Sequence, residues 1–193
     1  METIVLKFGG TSVGSTDRIS AVAKLIQQAS KEAFPVVVVS AMAGETNRLI
    51  ELAESFGSEP NKREFDALIS TGEKVSASLV AIALNQLGLK AKSLTAAQIG
   101  MKTTAQFSKA KILEMDNEVI FKIIADGYIP VVTGFQGITA TGDITTMGRG
   151  GSDTTAVAIA ASIKSKRCDI YTDVNGIYTT DPRIVPDAKK LDA

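Results

Sequence analysis

The chain has 193 residues, 45% of them hydrophobic and 22% charged, which is enough apolar material for one sizeable α/β core and a single domain. Its 21 lysines and arginines balance 21 aspartates and glutamates, so no overall basic field advertises nucleic acid and no polybasic face advertises a membrane. It has no histidine, which removes Ser-His and Cys-His triads, most catalytic zinc sites and the usual general base together.

The opening run METIVLKFGG is too short in apolar residues for a signal peptide. No stretch reaches the roughly 18 consecutive apolar residues of a membrane helix, so a cytoplasmic protein is expected. TIVLKF (Thr3–Phe8) reads as a strand that ends in Gly9-Gly10. Asp17 then opens a helix with apolar positions Ile19, Val22, Ala23 and Ile26. The continuous apolar run 35–40 has the pattern of a parallel strand covered on both faces, and SAMAGETN after it reads as a small-residue loop. From 62 to 87 the spacing predicts a long or broken helix, interrupted at Gly72 and Glu73. Strands are expected at 90–95, 110–115 and Ile129–Thr133, with a helix over Asn117–Ala125 that ends at Gly127. GITATGDITTM reads as a small hairpin around Gly142-Asp143, followed by a helix over 153–165 and a strand over 169–172. Cys168, the single cysteine, reads as a buried, reduced core residue. The alternation argues for a three-layer α/β sandwich: a mostly parallel central sheet with helices on both faces and ligands bound off the carboxyl ends of its strands.

In such a sheet the loops after the strands share one edge, so Gly9-Gly10, 40–47, 134–137 and 173–176 should line a common crevice. Lys7 with Gly9 and Gly10 suits a phosphate, because glycine lets backbone N–H groups approach closely and the ammonium neutralises charge; a tight turn beside a snorkelling lysine is the plainer alternative. No Walker loop is present, and Asp153 occupies the position where a G-x-G-x-x-G beginning at Gly148 needs glycine. In GRGGSD, Gly148, Gly150 and Gly151 leave room for a ligand, Arg149 offers a planar fork for carboxylate or phosphate, and Ser152 with Asp153 is placed to cap the following helix; a hairpin exit with an ordinary cap is the alternative. Glu73 lies either on the outer helix face or in the crevice, where it would suit an ammonium group. In YTDVNGIYTTDPR, Asp173 and Asp181 are either turn formers or groups for Mg²⁺ or a phosphate-side lysine.

KFGGTSVG, VVVVSAMAGETN, LISTGEKVSASL, GFQGIT, TTMGRGGSDTTA and DIYTDVNGIYTTDPR resemble, in order and rough spacing, the catalytic domain of aspartate kinases, which are members of the amino-acid kinase superfamily. The resemblance runs from Lys7 to Arg183. It implies the amino-acid kinase fold over residues 1–193 and transfer of the ATP γ-phosphoryl group to the β-carboxylate of L-aspartate, with Mg²⁺, as the first step toward lysine, threonine and methionine. On the family pattern Lys7, Phe8, Gly9, Gly10 and Ser40 lie on the nucleotide side, together with Tyr171, Thr172, Asp173, Tyr178, Asp181 and Arg183. Thr46, Glu73, Phe135, Arg149, Gly150, Gly151 and Ser152 would hold aspartate, Glu73 on its α-ammonium and Arg149 on a carboxylate. Asp153 would organise the reacting centre, with Lys7 and Arg149 as the other catalytic groups.

That chemistry agrees with a chain lacking histidine. A carboxylate whose unperturbed pKa is about 3.9 is already an anion at neutral pH and needs no general base. Aspartate kinases continue past DPRIVPDAKKLDA with a second phosphate-side lysine and then ACT domains, so the resemblance implies a shortened catalytic domain, in a family whose members are commonly homodimeric. Two other readings stay open: a nucleotide- or aspartate-binding module without turnover, and another amino-acid kinase. Glu73 separates the second, because an N-acetylated substrate has no ammonium for it.

Overall fold

The computed structural model describes residues 2–172 together with Asp187 and Lys189. Among these residues, five strands form one sheet in the order β3-β6-β2-β1-β9, made of β1 (Thr3–Phe8), β2 (Phe34–Val39), β3 (Ala91–Leu94), β6 (Ile129–Thr133) and β9 (Cys168–Tyr171). Every pairing in it is parallel, which accounts for the apolar runs: β1 pairs with β2 from Thr3 with Phe34 to Phe8 with Val39, and both of its faces are covered.

Alternation along the strands divides the core into two layers. Ile4, Leu6 and Phe8 of β1 with Val37 and Val39 of β2 pack against α1 (Thr16–Ala29) and α4 (Thr71–Gln86). Val5, Val36 and Val38 face α5 (Asn117–Ala125) and α6 (Gly151–Ser162), meeting Ile120, Ile124, Ala156 and Ile159. The expected sandwich is therefore present.

Several elements differ from expectation. The loop after β2 contains α2 (Glu45–Glu54), whose N-cap is Gly44 at φ 82 with no side-chain cap, so no Ser, Thr or Asp signal announces it. The 62–87 helix is broken at Ser70 into α3 (Lys62–Ile69) and α4, and Ser70 ends one and begins the other. Within Lys62–Gln86 an 18-residue stretch reaches a mean hydropathy of 1.4, which by length and composition alone would suit a membrane-crossing helix. That apolarity comes from α4, which lies against the sheet and buries Ala77, Val80, Ala81 and Leu84.

The expected strand at 110–115 contributes only β5 (Ile112–Glu114), and it leaves the main sheet for a second one ordered β5-β4-β7-β8, with β4 (Lys102–Thr103), β7 (Gln136–Ile138) and β8 (Ile144–Thr146). The expected hairpin is the antiparallel pair β7 and β8, with Gln136 opposite Thr146. Helix α6 starts at Gly151, two residues before the expected 153, because Gly150 takes a left-handed φ of 75 that glycine adopts freely. Ser152 and Asp153 therefore sit inside its first turn, and neither caps the helix. Cys168 is half-buried, not fully buried as expected, and lies on β9, the last strand of the sheet among the described residues; partial burial holds its thiol above the usual range.

Candidate functional site

A cavity of about 590 Å³ opens at the carboxyl ends of β1, β2 and β6. Its lining includes Lys7 and Gly10 from the first loop, Ser40 to Gly44 and Thr46 from the second, Phe135 from the third, and Gly148 to Asp153 from the hairpin exit and start of α6. The convergence expected of three separate loops therefore occurs. The fourth, 173–176, lies outside the described residues.

Lys7 reaches the cavity because period-2 alternation sends it to the same face as Val5, toward α6, one residue before the strand ends. Its ammonium stands 2.5 Å from Asp153 Oδ1, and the lysine is 7% exposed. Gly10 lets the chain pass closely under the second loop: a Cβ there would stand 2.8 Å from the Ala41 carbonyl oxygen. In return the Ala43 N–H donates to the Gly10 carbonyl at 3.1 Å.

The break at Ser70 points the N-terminus of α4 into the same space and buries Glu73, only 3% exposed. Of the two positions open to Glu73, the structure has the crevice. Its Oε1 accepts the Ala41 N–H at 3.0 Å, and Oε2 is buried with no hydrogen-bond partner among the described residues. Burial pushes this carboxyl up to about 7, against the opposing pull of the Ala41 hydrogen bond. An unpaired buried carboxylate oxygen in a side chain that lines a cavity is costly unless a cationic group meets it.

Across the cavity, Arg149 is exposed at the rim between Gly148 and Gly150, both with positive φ. Phe135 also has a positive φ of 69, rare for an aromatic residue, and its N–H is held by Thr155 Oγ1 at 3.1 Å while its carbonyl accepts the Met147 N–H at 2.9 Å. Gly134 and Gly151 keep this corner tight; a Cβ on Gly134 would lie 2.7 Å from the Ser152 side chain.

Eleven of the residues expected in the site border this one cavity: Lys7, Gly10, Ser40, Thr46, Glu73, Phe135, Arg149, Gly150, Gly151, Ser152 and Asp153. Others sit elsewhere. Phe8 is fully buried in the α1 and α4 layer, with its ring stacked on Tyr171 at 4.7 Å. Gly9 donates its N–H to the Tyr171 carbonyl at 3.1 Å, and exposed Thr172 follows β9. Asp173, Tyr178, Asp181 and Arg183 lie outside the described residues.

Sequence reasoning missed the apolar wall formed by Met42, Ile50, Phe65 and Ile69, and the polar pair Ser108 and Thr146. Ile50 belongs to the unannounced helix α2. Phe65 and Ile69 were legible as apolar positions of α3, but not as cavity lining.

The amino acid kinase family model matches residues 2–193. The chain is 52% identical over 192 residues to an aspartokinase of Geobacillus stearothermophilus, covering 99% of this chain and 47% of that protein. Among solved structures, the aspartate kinase from Synechocystis superposes with a TM-score of 0.81 at 46% identity, over 97% of this chain and 31% of that one. E. coli aspartokinase III, in complex with aspartate and ADP in its R-state, superposes with a TM-score of 0.83 at 29% identity, over 99% and 54%. The chain spans about half the length of the curated relatives it matches.

Proposed function

Because the chain belongs to the amino acid kinase family, we propose that it carries out the aspartate kinase reaction, moving the γ-phosphoryl group of ATP to the β-carboxylate of L-aspartate. Residues 1–193 would act as one catalytic unit within that reaction. The observation that carries the reading is Glu73, whose buried Oε2 has no hydrogen-bond partner among the described residues and whose side chain lines the same cavity as Arg149 and the Lys7–Asp153 pair. A ligand satisfying all of these has an ammonium, a carboxylate and a transferring anion. Aspartate with ATP supplies the three.

The residues divide the work by charge. Glu73 takes the α-ammonium, replacing the water that its carboxylate has lost. Arg149 binds a carboxylate through its planar fork, with Thr46, Phe135, Gly150, Gly151 and Ser152 bounding the amino acid. Lys7 lies on the phosphate side with Gly9 and Gly10, and Asp153 holds its ammonium in place. A β-carboxylate oxygen attacks the γ-phosphorus, the bond to the bridging oxygen breaks, and ADP leaves with that electron pair. No proton moves in this step, consistent with a site built from charges and backbone rather than a general base.

Mg²⁺ neutralises phosphate charge when bound. No group of three or more carboxylate or thiol side chains converges among the described residues, and Asp173 and Asp181, which would meet it directly or through water, lie outside them. Ser40, Tyr171 and Thr172 would lie toward the nucleotide, as would Asp173, Tyr178, Asp181 and Arg183. The reaction would be a cytoplasmic first step toward lysine, threonine and methionine, in a homodimeric protein.

The test is ADP release by the protein in its natural full length. Release should depend on L-aspartate and fall sharply with N-acetyl-L-aspartate, which lacks the ammonium. Equal turnover of the two, or turnover with glutamate or UMP and none with aspartate, would reject the reading.

A further inference from the structure

We infer that Asp66, buried outside the cavity lining, is a positioning residue that sets the span between the Arg149 turn and Glu73, and so the length of amino acid the site accepts. The inference rests on the aspartate reading of the cavity. Asp66 is fully buried on α3 and makes four hydrogen bonds to two residues. Its Oδ2 accepts the backbone N–H groups of Ser108 and Thr146 at 2.8 and 2.7 Å, and its Oδ1 accepts their two hydroxyls at 2.9 and 3.0 Å. Ser108 and Thr146 belong to different segments, and both line the cavity.

Both arms of this clamp lead to Arg149. Thr146 ends β8, and the chain continues through Met147 and Gly148 directly into the arginine. Ser108 is held at a left-handed φ of 64, which few non-glycine residues adopt. Its carbonyl oxygen then backs Gly148, where an added Cβ would stand 3.1 Å from it. The clamp thus presses one loop against the turn that carries Arg149 and ties the strand before that turn to α3.

The other end of α3 leads to Glu73. Ser70 joins α3 to α4, and its carbonyl accepts Gln136 Nε2 at 2.9 Å, which fixes the helix break to β7. At the outer end, Arg63 reaches Asp143 at 2.6 Å across the hairpin. Helix α3 therefore meets the β7–β8 hairpin at three points, of which Asp66 is the central one and, like the Ser70–Gln136 contact, buried. Since Glu73 and Arg149 extend from opposite sides of this contact, any slip in it changes the distance between the groups that would hold the two ends of the amino acid.

The proposal is tested by steady-state kinetics on the natural full-length protein with L-aspartate, L-glutamate and ATP. Asp66→Ala leaves two N–H groups without an acceptor, that of Thr146 buried and that of Ser108 part-buried. It should raise KM for aspartate about tenfold or more, leave KM for ATP within about twofold, and narrow the preference for aspartate over glutamate. Asp66→Asn keeps an oxygen for the two N–H groups and turns an amide toward the two hydroxyls, which can accept from it; it should recover most of the aspartate KM. If Asp66→Ala does not fold, Thr146→Val and Ser108→Ala each remove one hydroxyl from the clamp and should shift KM for aspartate in the same direction.

A lowered melting temperature with both KM values unchanged would overturn the inference and leave Asp66 a structural residue. So would equal rises in the two KM values, or an Asn variant that folds and performs no better than Ala. Wild-type protein showing no aspartate-dependent ADP release would instead reject the aspartate reading, before any variant is compared.

Discussion

The Ala41 N–H donates to Glu73 Oε1 at 3.0 Å, which fixes one oxygen of a carboxylate that lines the cavity and leaves the other buried without a hydrogen-bond partner among the described residues. This contact joins the end of β2 to the start of α4, so the geometry of the proposed ammonium site is set by the packing of a strand against a helix.

That burial makes the site pH-sensitive. The carboxyl is raised from an ordinary 4.5 to about 7, so between these values the fold retains a proton that the unfolded chain has lost. Stability from this group therefore falls as pH rises through the window, by about 3 kcal/mol in total. Urea unfolding should find Glu73→Gln more stable than wild type at pH 8 and equal to it near pH 4.5. An ammonium ligand favours the charged form, so KM for aspartate should rise as pH drops below about 7 and level off above it.

Arg149→Lys replaces a planar fork with a point charge. It should raise KM for aspartate about tenfold, with little effect on KM for ATP. Unchanged kinetics would remove Arg149 from the amino-acid side.

Lys7→Ala should lower kcat by about 100-fold, because charge on the transferring group redistributes in the transition state. Asp153→Asn should act in the same direction more weakly, since it frees the ammonium that Asp153 holds at 2.5 Å. A change confined to KM in Lys7→Ala would assign the lysine to ground-state binding alone.

Gly72 packs where a Cβ would stand 2.8 Å from the Ala41 Cβ. Gly72→Ala should push the strand end away, lengthen the Ala41 to Glu73 hydrogen bond and destabilise the protein by about 1–3 kcal/mol. Kinetics should show a raised KM for aspartate, and thermal unfolding a lowered Tm.

The parts legible in the sequence are those whose signal is local. TIVLKF and PVVVV carry the unbroken apolar pattern of buried parallel strands, and Ile19, Val22, Ala23 and Ile26 carry a helix face. Lys7 and Arg149 are legible from the glycines near them, whereas the local pattern gives Asp153 only as a helix cap and its place at the reacting centre comes from the family resemblance. What stayed hidden depends on distant partners. Helix α2 starts from a glycine without a capping side chain, and β4 is two residues long, paired on one side with nearby β5 and on the other with distant β7. Asp66, in the polar-looking run KREFD, has the pattern of a solvated helix aspartate; its four donors come from residues 42 and 80 positions away.

The most direct test of the central claim is trapping of the product. The natural full-length protein, with ATP, Mg²⁺ and L-aspartate, would be assayed in hydroxylamine, which converts acyl phosphates to hydroxamates. The expected result is aspartyl β-hydroxamate formed in step with ADP, and its loss in Lys7→Ala. ADP release with no hydroxamate from aspartate, or hydroxamate from another acceptor alone, would contradict the account.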